Sequence, residues 1–400
     1  ATRLLNAVVA DLKSGVETIS RESPRVAHKD MCRDLPHRND TSPLEHHALY
    51  VTHGYIDHLN YIFREDCEGE SPSVWSSDVS RVLVALHSCS VVPSGAMLCS
   101  TPQGVPAVVQ QHPEVFPWRQ LRPETREVQV DRALNLRQGY GRNYWHFLAE
   151  TLPRLLWCAP WLTTDRSISL LVADTPFVSQ TLRLLNMRHL PVVDDDVIVH
   201  ARVTLFPTYR NWNIFGTMPP EDVHLTRQYL RPAALGLTFH GRPQGFAVLL
   251  SVRLGDASLR DAVDWDELHQ LLKREGVKTK KTGNDLPLEK QIRLYASAHL
   301  VVGSHGSNVA NILWMTLPAC FIEIMPPKPT LAAYGLTFFS NNWHTASVIG
   351  IEYRLHVGQL TSESERQRRD GPPRWRLGAA SVTKVVTDIR DTLVTSEDQV

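Results

Sequence analysis

The sequence lacks the features that mark a membrane-spanning or a nucleic-acid-binding protein. No apolar run reaches the roughly 18 residues that a transmembrane helix needs, and no signal peptide is visible. The 42 basic residues balance the 42 acidic ones, so neither a basic surface for nucleic acid nor an acidic tail is indicated. We therefore expect no nucleic-acid partner and no membrane segment in this chain. Because the chain starts at Ala1 rather than methionine, removal of an N-terminal anchor stays open.

Cysteine is scarce, and none of the six residues lies in a Cys-x-x-Cys pair or at a zinc-like spacing. A zinc finger is therefore not expected. Four cysteines fall in the first hundred residues, which suits disulfides in a secretory lumen, and scattered thiols in a cytosolic protein fit about as well. The compartment stays open between the Golgi or endoplasmic-reticulum lumen, for a eukaryotic chain that has lost an anchor, and the cytoplasm.

The order of apolar runs and helical patterns predicts two α/β domains. Four hundred residues are too many for one ordinary core, so two domains of roughly 150–200 residues are expected. Short apolar runs alternate with helical patterns, which indicates parallel sheets with right-handed crossovers. A stretch rich in proline and glycine at 231–244 suggests the boundary. The predicted parts are an irregular arm at 1–45, a first domain at 46–235, a second domain at 240–345 and an extension with a terminal helix at 346–400.

The segment 300–327 predicts one half of a nucleotide site. A short apolar run stops at Gly303, which suits a strand covered on both faces, and a second buried strand carries Glu323. Gly303 and Gly306 allow a tight turn and the close approach of a ligand. From Ser307 onward the apolar residues fall at helical spacing. The free N–H groups and positive dipole end of that helix would favour a phosphate above the strand.

A second segment, 141–154, predicts a polar stripe on a buried helix. Asn143, His146, Glu150 and Arg154 are spaced three, four and four residues apart, whereas the positions between them are largely apolar or aromatic. Buried polar groups are costly unless they face a cleft or are fully hydrogen-bonded, so a satisfied core network is the plain alternative. Zinc ligation by His146 and Glu150 lacks a third ligand at a diagnostic spacing. A carboxylate beside a histidine is also what a general base needs. Pro153 is expected to end or kink this helix.

Together the two segments, NYWHFLAETLPRL and VVGSHGSNVANILWM…CFIEIMPP, resemble glycosyltransferase family 61. The resemblance covers about 128–327, which is half of the chain. It implies a GT-B fold, in which two Rossmann-like domains face a cleft and the second holds the donor. It also implies an inverting enzyme that uses a UDP-sugar, with no further cofactor. N-acetylglucosamine and xylose are the favoured sugars, and the acceptor is a protein or a polysaccharide or other glycan.

The resemblance also implies roles for individual residues. Glu150 or His146 would be the base; we favour Glu150, with His146 orienting it or the acceptor. Asn143 and Arg154 complete the polar positions of the first segment, and Glu323 would accept from ribose hydroxyls. The diphosphate would be held by Arg253, Ser304, His305, Gly306, Ser307 and Asn308. Taken singly, each of these residues has a structural alternative, such as a surface ion pair for Arg253.

Other classes of site are less well supported. The run Asp194-Asp195-Asp196 resembles the metal-binding Asp-x-Asp of GT-A enzymes. Only a short, proline-broken run precedes it, so a solvated turn is favoured and no metal is expected in catalysis. A hydrolase is not indicated, because the glycine that a nucleophile elbow needs two residues before Ser304 is absent. A Rossmann dehydrogenase is not indicated either, because no G-x-G-x-x-G follows a strand. A non-catalytic glycan- or nucleotide-binding protein on the same fold stays open.

Overall fold

The computed structural model divides by its internal contacts into two compact units. Unit 1 comprises 1–142, 154–175 and 187–215, and unit 2 comprises 143–153, 176–186 and 216–400. The predicted arm at 1–45 and Arg253 lie outside the described residues. The structure describes residues 80–100, 106–109, 125–210, 218–236, 248–252, 265–282, 286–327, 330, 341–361 and 375–397.

Unit 1 is built on a mixed seven-stranded sheet of order β3-β2-β1-β7-β4-β5-β6. The strands are β1 Ser80–Val91, β2 Met97–Ser100, β3 Pro106–Val109, β4 Glu127–Asn135, β5 Ile168–Leu171, β6 Val192–Val193 and β7 Ile198–Arg210. Strands β7, β4, β5 and β6 run parallel to one another. Strand β1 pairs antiparallel with both β7 and β2, and β2 pairs antiparallel with β3. Alternate residues of β1, β4 and β7, such as Val91, Ala133 and Val199, bury one face in a common core. The sequence pattern predicts a strand at 128–136, and β4 confirms it.

The sequence pattern predicts one helix over 144–162, and this helix forms with a change of hydrogen-bond register inside it. It consists of α1 Tyr144–His146, a π-helical segment Phe147–Thr151 and α2 Leu152–Leu162. The N–H of Leu152 donates to the carbonyl of Phe147, five residues back. We expected Pro153 to end or kink the helix. It does not end the helix, because α2 continues for nine residues beyond it to Leu162. The wider π turn lies just before Pro153, which has no N–H to donate.

Unit 2 contains a fully parallel five-stranded sheet of order β9-β8-β10-β11-β12. Its elements are α4 Pro220–Leu235, β8 Val248–Ser251, α5 Trp265–Arg274, β9 Thr279–Thr282, α6 Leu288–Ser297, β10 Leu300–Ser304, a 3₁₀ helix Ser307–Trp314, β11 Cys320–Met325, α7 Asn341–Ile349 and β12 Glu352–Val357. A small ribbon of β13 Gln359–Leu360 and β14 Trp375–Arg376 and the terminal helix α8 Ala379–Glu397 follow. The sheet is therefore doubly wound, and the strand order reverses between β8 and β10.

The core of unit 2 explains why β8, β10 and β11 are apolar throughout. Every residue of these three strands is buried, because helices cover both faces of a parallel sheet. The predicted terminal helix is confirmed as α8, whose Val385 and Ile389 join the same hydrophobic cluster as Leu250, Val302 and Ile322.

Several helices that precede the predicted boundary contribute to unit 2. They are α1, α3 Pro176–Leu184 and α4, which the sequence pattern placed in the first domain at 46–235. The expected break does not begin at 231, because α4 runs through Pro232 to Leu235. Side chains of α3 and α4 bond within unit 2. Gln180 Oε1 accepts from the N–H of Leu288 at 2.6 Å, and Arg227 Nη2 donates to the carbonyl of Met315 at 3.0 Å.

Two further features bear on the sequence-based expectations. Among the helices that the structure describes, none combines the length and the apolar character needed to cross a bilayer. Cys89 is disulfide-bonded, whereas Cys158 and Cys320 are buried thiols.

A buried histidine is expected to make folding sensitive to acid. His344 on α7 lies with Nε2 at 2.6 Å from the carbonyl of Met218, and burial lowers its pKa to about 4. The unfolded chain takes up this proton near pH 6.5 and the folded chain near pH 4. The free energy of unfolding should therefore fall by about 3 kcal/mol as pH drops from 6.5 to 4, and it should be unaffected by this group above pH 7. His344→Gln, whose amide can still donate to Met218, should lose that share of the pH dependence in urea unfolding. The prediction would be contradicted if the free energy of unfolding depended equally on pH in the wild-type protein and in His344→Gln.

Candidate active site

The two polar segments meet within unit 2. Ser307 Oγ donates to Asn143 Oδ1 at 3.0 Å, and Tyr144 Oη donates to Asn311 Oδ1 at 2.8 Å. Asn143 is also the N-cap of α1, because its Oδ1 accepts from the N–H of Trp145 at 2.9 Å. Asn143 Oδ1 thus accepts hydrogen bonds both from the first turn of the helix and from Ser307 after β10. Residues that are 164 positions apart in the sequence form one site.

His146 and Glu150 form a close pair on the helical segment. His146 Nδ1 lies 2.7 Å from Glu150 Oε1, and the two side chains are 15% and 0% exposed. When the carboxylate is ionised, Nδ1 carries the proton and Nε2 keeps its lone pair. Only the imidazole has surface that an acceptor could reach. The burial of Glu150 therefore argues against our preference for this residue as the base.

Arg154 belongs to unit 1, where its buried guanidinium donates from Nη2 to the carbonyl of Leu136 at 3.0 Å. The π-helical segment lies between Glu150 and Arg154, and its extra residue per turn rotates later positions about the helix axis. A stripe drawn with an α-helical period does not continue across that segment.

The turn after β10 contains most of the residues that the sequence predicts to hold a diphosphate. Ser304 and His305 are buried, and Gly306 has φ 152° and ψ −175°, a region that essentially only glycine occupies. Ser307 then begins a 3₁₀ helix, which is the helix that the apolar spacing from Ser307 onward predicts. The turn lies at the carboxyl end of β10 beside β8, which is the point in a doubly wound sheet where ligands bind.

Two of the predicted phosphate residues stabilise this turn from inside. A Cβ at Gly303 would overlap Val309 and lie 3.2 Å from Ser251 Cβ. Gly303 therefore permits close packing of the 3₁₀ helix and β8, which corrects its predicted role of clearing space for a ligand. Asn308 is buried, and its Nδ2 donates to the carbonyl and Oγ of Ser251 at 3.2 and 3.1 Å.

Glu323 orients His305. Its Oε1 accepts from Asn342 Nδ2 at 2.5 Å and lies 2.7 Å from His305 Nδ1, while Oε2 accepts from Tyr353 Oη at 2.7 Å. Burial and the neighbouring Glu323 raise the pKa of Tyr353 well above its ordinary value, so the phenol stays a donor. Glu323 has no exposed surface, and this geometry does not offer it to a ribose as predicted. Asn342 and Tyr353 were missed, since neither lies in a recognisable motif.

The acidic run forms the turn that the sequence predicted. Asp194 and Asp195 lie between the edge strand β6 and β7, and both accept from Arg142 Nη2, at 2.8 Å in the case of Asp194 Oδ1. Arg137 donates to the carbonyls of Asp194 and Val197 in the same turn. Within the described parts of the chain, no cluster of three histidine, cysteine or acidic side chains is arranged to hold a metal ion.

Comparison with known proteins agrees with this arrangement. Residues 144–322, which contain the His146–Glu150 pair and the turn after β10, match the family model described as Glycosyltransferase 61. Residues 144–322 are therefore similar to glycosyltransferase family 61, and this match supports sugar transfer as a general class.

Other comparisons add little. No curated protein matches the chain. Among solved structures, the chain is similar to the bacterial iron-containing dodecameric glycosyltransferase TibC from enterotoxigenic E. coli H10407. The identity is 10%, the match covers 68% of this chain and 83% of that chain, and the TM-score is 0.26. A likeness at that score supports no conclusion about substrate, metal or assembly.

Proposed function

We propose that this protein is an inverting glycosyltransferase of GT-B type. It moves a sugar, with N-acetylglucosamine or xylose favoured, from a UDP-sugar to a hydroxyl of a protein or glycan acceptor. The match to glycosyltransferase family 61 supports sugar transfer in general. The observation that carries the mechanism is the hydrogen bond from Ser307, after β10, to Asn143, which caps the helical segment that bears His146 and Glu150.

His146 is the base in this proposal. Its Nε2 accepts the proton of the acceptor hydroxyl as the oxygen attacks the anomeric carbon. The bond from that carbon to the diphosphate oxygen breaks, and its electron pair leaves with the diphosphate, which inverts the anomeric centre. Glu150 keeps Nδ1 protonated and stabilises the imidazolium that forms, because a buried carboxylate 2.7 Å away favours the cation.

The turn from Ser304 to Asn308 is the diphosphate site in this proposal. The start of the 3₁₀ helix presents N–H groups to an anion, and Gly306 lets the backbone approach it. His305 turns Nε2 away from Glu323, because Nδ1 faces the carboxylate. Glu323 is thus a positioning residue for His305. Arg253 stays a prediction as a further diphosphate ligand, as does transfer without a divalent metal.

A panel of nucleotide sugars tests the proposed function. UDP-sugars at about 100 times their Kd should stabilise the fold by about 2.7 kcal/mol, whereas GDP-mannose should produce no comparable rise in Tm. Gly306→Ala strains the turn and should abolish the shift, whereas Gly141→Ala, whose Cβ would meet only ordinary contacts of 3.4 Å or more, should retain it.

The panel is combined with a transfer assay in EDTA. Transfer that persists in the chelator is expected. Loss of transfer in EDTA with recovery in manganese would contradict metal independence. A UDP-sugar shift without transfer to any protein or glycan acceptor would favour the non-catalytic binding protein.

A further inference from the structure

A partly buried hydrogen bond joins the helix that carries His146 to the 3₁₀ helix that follows the phosphate turn. Tyr144 lies two residues before His146, and Asn311 lies four residues after Ser307 in the 3₁₀ helix. Tyr144 Oη donates to Asn311 Oδ1 at 2.8 Å. The contact therefore connects the backbone that carries the base with the backbone that carries the donor site.

The amide of Asn311 is held in one orientation. Its Oδ1 also accepts from Trp314 Nε1 at 3.0 Å. Its Nδ2 donates to Gln291 Oε1 at 2.7 Å and to the carbonyl of Asn308 at 3.1 Å. Two donated and two accepted bonds use the full capacity of a carboxamide. Because the residue is buried, rotation of the amide would leave these partners unsatisfied, so the oxygen that faces Tyr144 is fixed.

Tyr144 is fixed as well. Its ring packs edge-on against Phe177 of α3, with centroids 5.5 Å apart. Burial raises its pKa, so the hydroxyl stays protonated and donates. The other hydrogen bond between the two helices joins Ser307 to Asn143. It is exposed to water, so it contributes less to fixing the distance between them.

We propose that Tyr144 and Asn311 are positioning residues that set the distance between His146 and the donor sugar. This inference rests on the proposed function. Neither side chain is assigned a contact with substrate. Their hydrogen bond fixes the position of α1 relative to the turn after β10. A displacement of about 1 Å between two reacting groups is enough to lower the rate roughly 100-fold.

Tyr144→Phe removes one hydroxyl and tests the proposal. We expect kcat to fall by about 10- to 100-fold, while the donor KM and the Tm shift with UDP-sugar change by less than about twofold. The matched control is Thr181→Val on α3, which deletes a buried hydroxyl that donates to the carbonyl of Phe177 at 2.8 Å. It should lose similar stability and keep the wild-type kcat.

The outcomes separate three cases. Equal losses of kcat in Tyr144→Phe and Thr181→Val, or none in either, would overturn the positioning role. A second variant, Asn311→Ala, removes the acceptor of Tyr144 and should lower kcat at least as much as Tyr144→Phe; a smaller loss would also overturn it. Absence of transfer and of any UDP-sugar shift in the wild-type protein would instead refute the proposed function.

Discussion

Replacing His146 by asparagine is expected to lower kcat for sugar transfer by about 10²- to 10⁴-fold, the usual contribution of a general base. Asparagine can still donate to Glu150 but cannot accept a proton from the acceptor. The donor site lies on a different element, so the Tm shift with UDP-sugar should persist. Glu150→Gln should lower kcat to a similar degree, because an amide in place of the carboxylate neither selects the Nδ1–H tautomer nor stabilises the imidazolium.

The same substitution at His189 is the matched control. His189 Nε2 lies 3.1 Å from the carbonyl of Leu162 in unit 1 and has no assigned role in transfer. His189→Asn should leave kcat within about twofold, as expected for a substitution away from reacting groups. If His146→Asn retains the wild-type kcat whereas Glu150→Gln is inactive, the base is Glu150 and the proposed division of roles is wrong.

Replacing Glu323 by alanine is expected to lower the free energy of unfolding by about 3–5 kcal/mol, because it removes a buried carboxylate from three partners. The side chains of His305, Asn342 and Tyr353 would each lose a hydrogen-bond acceptor that water replaces poorly in a buried site. Donor affinity should fall as well, since His305 would no longer be held with Nε2 toward the phosphate turn. Urea unfolding and nucleotide titration measure the two effects.

Glu352 offers a control for the stability measurement. It lies on β12 beside Tyr353, but its side chain is 54% exposed and paired with Arg354. Glu352→Ala should change the free energy of unfolding by about 0–1 kcal/mol, as is usual for an exposed ion pair. Glu323→Gln tests the charge separately, because it keeps the shape of the side chain. Full stability and full donor affinity in Glu323→Ala would show that its hydrogen bonds contribute nothing to either property.

Much of the fold could be predicted because the required information is local. The buried strands β8, β10 and β11 are continuous apolar runs, and such runs mark parallel strands wherever they lie in space. The turn at Gly306 could be located because only glycine adopts its backbone angles. The acidic turn at 194–196 followed from the preference of aspartate for turns. Both polar segments were recognised from spacing and residue type.

The roles of individual carboxylates could not be predicted in this way. The sequence places Glu150 and Glu323 beside histidines but does not report how much water each can reach. Both are fully buried, so we propose that each orients a histidine. The roles predicted from the sequence were deprotonation of the acceptor for Glu150 and ribose binding for Glu323. Burial depends on the packing of several elements at once, which no short segment encodes.

By itself, the sequence determined most of the alternation of strands and helices between 128 and 325, the glycine turn and the match of two polar segments to one family. Only the tertiary structure decided that α1 contacts the turn after β10 through Asn143 and Tyr144, and that a π-helical segment separates Glu150 from Arg154. The physical reason is that helical spacing and turn preference are set by neighbouring residues. Hydrogen bonds across 164 positions, and the exclusion of water from a carboxylate, exist only once the chain is packed.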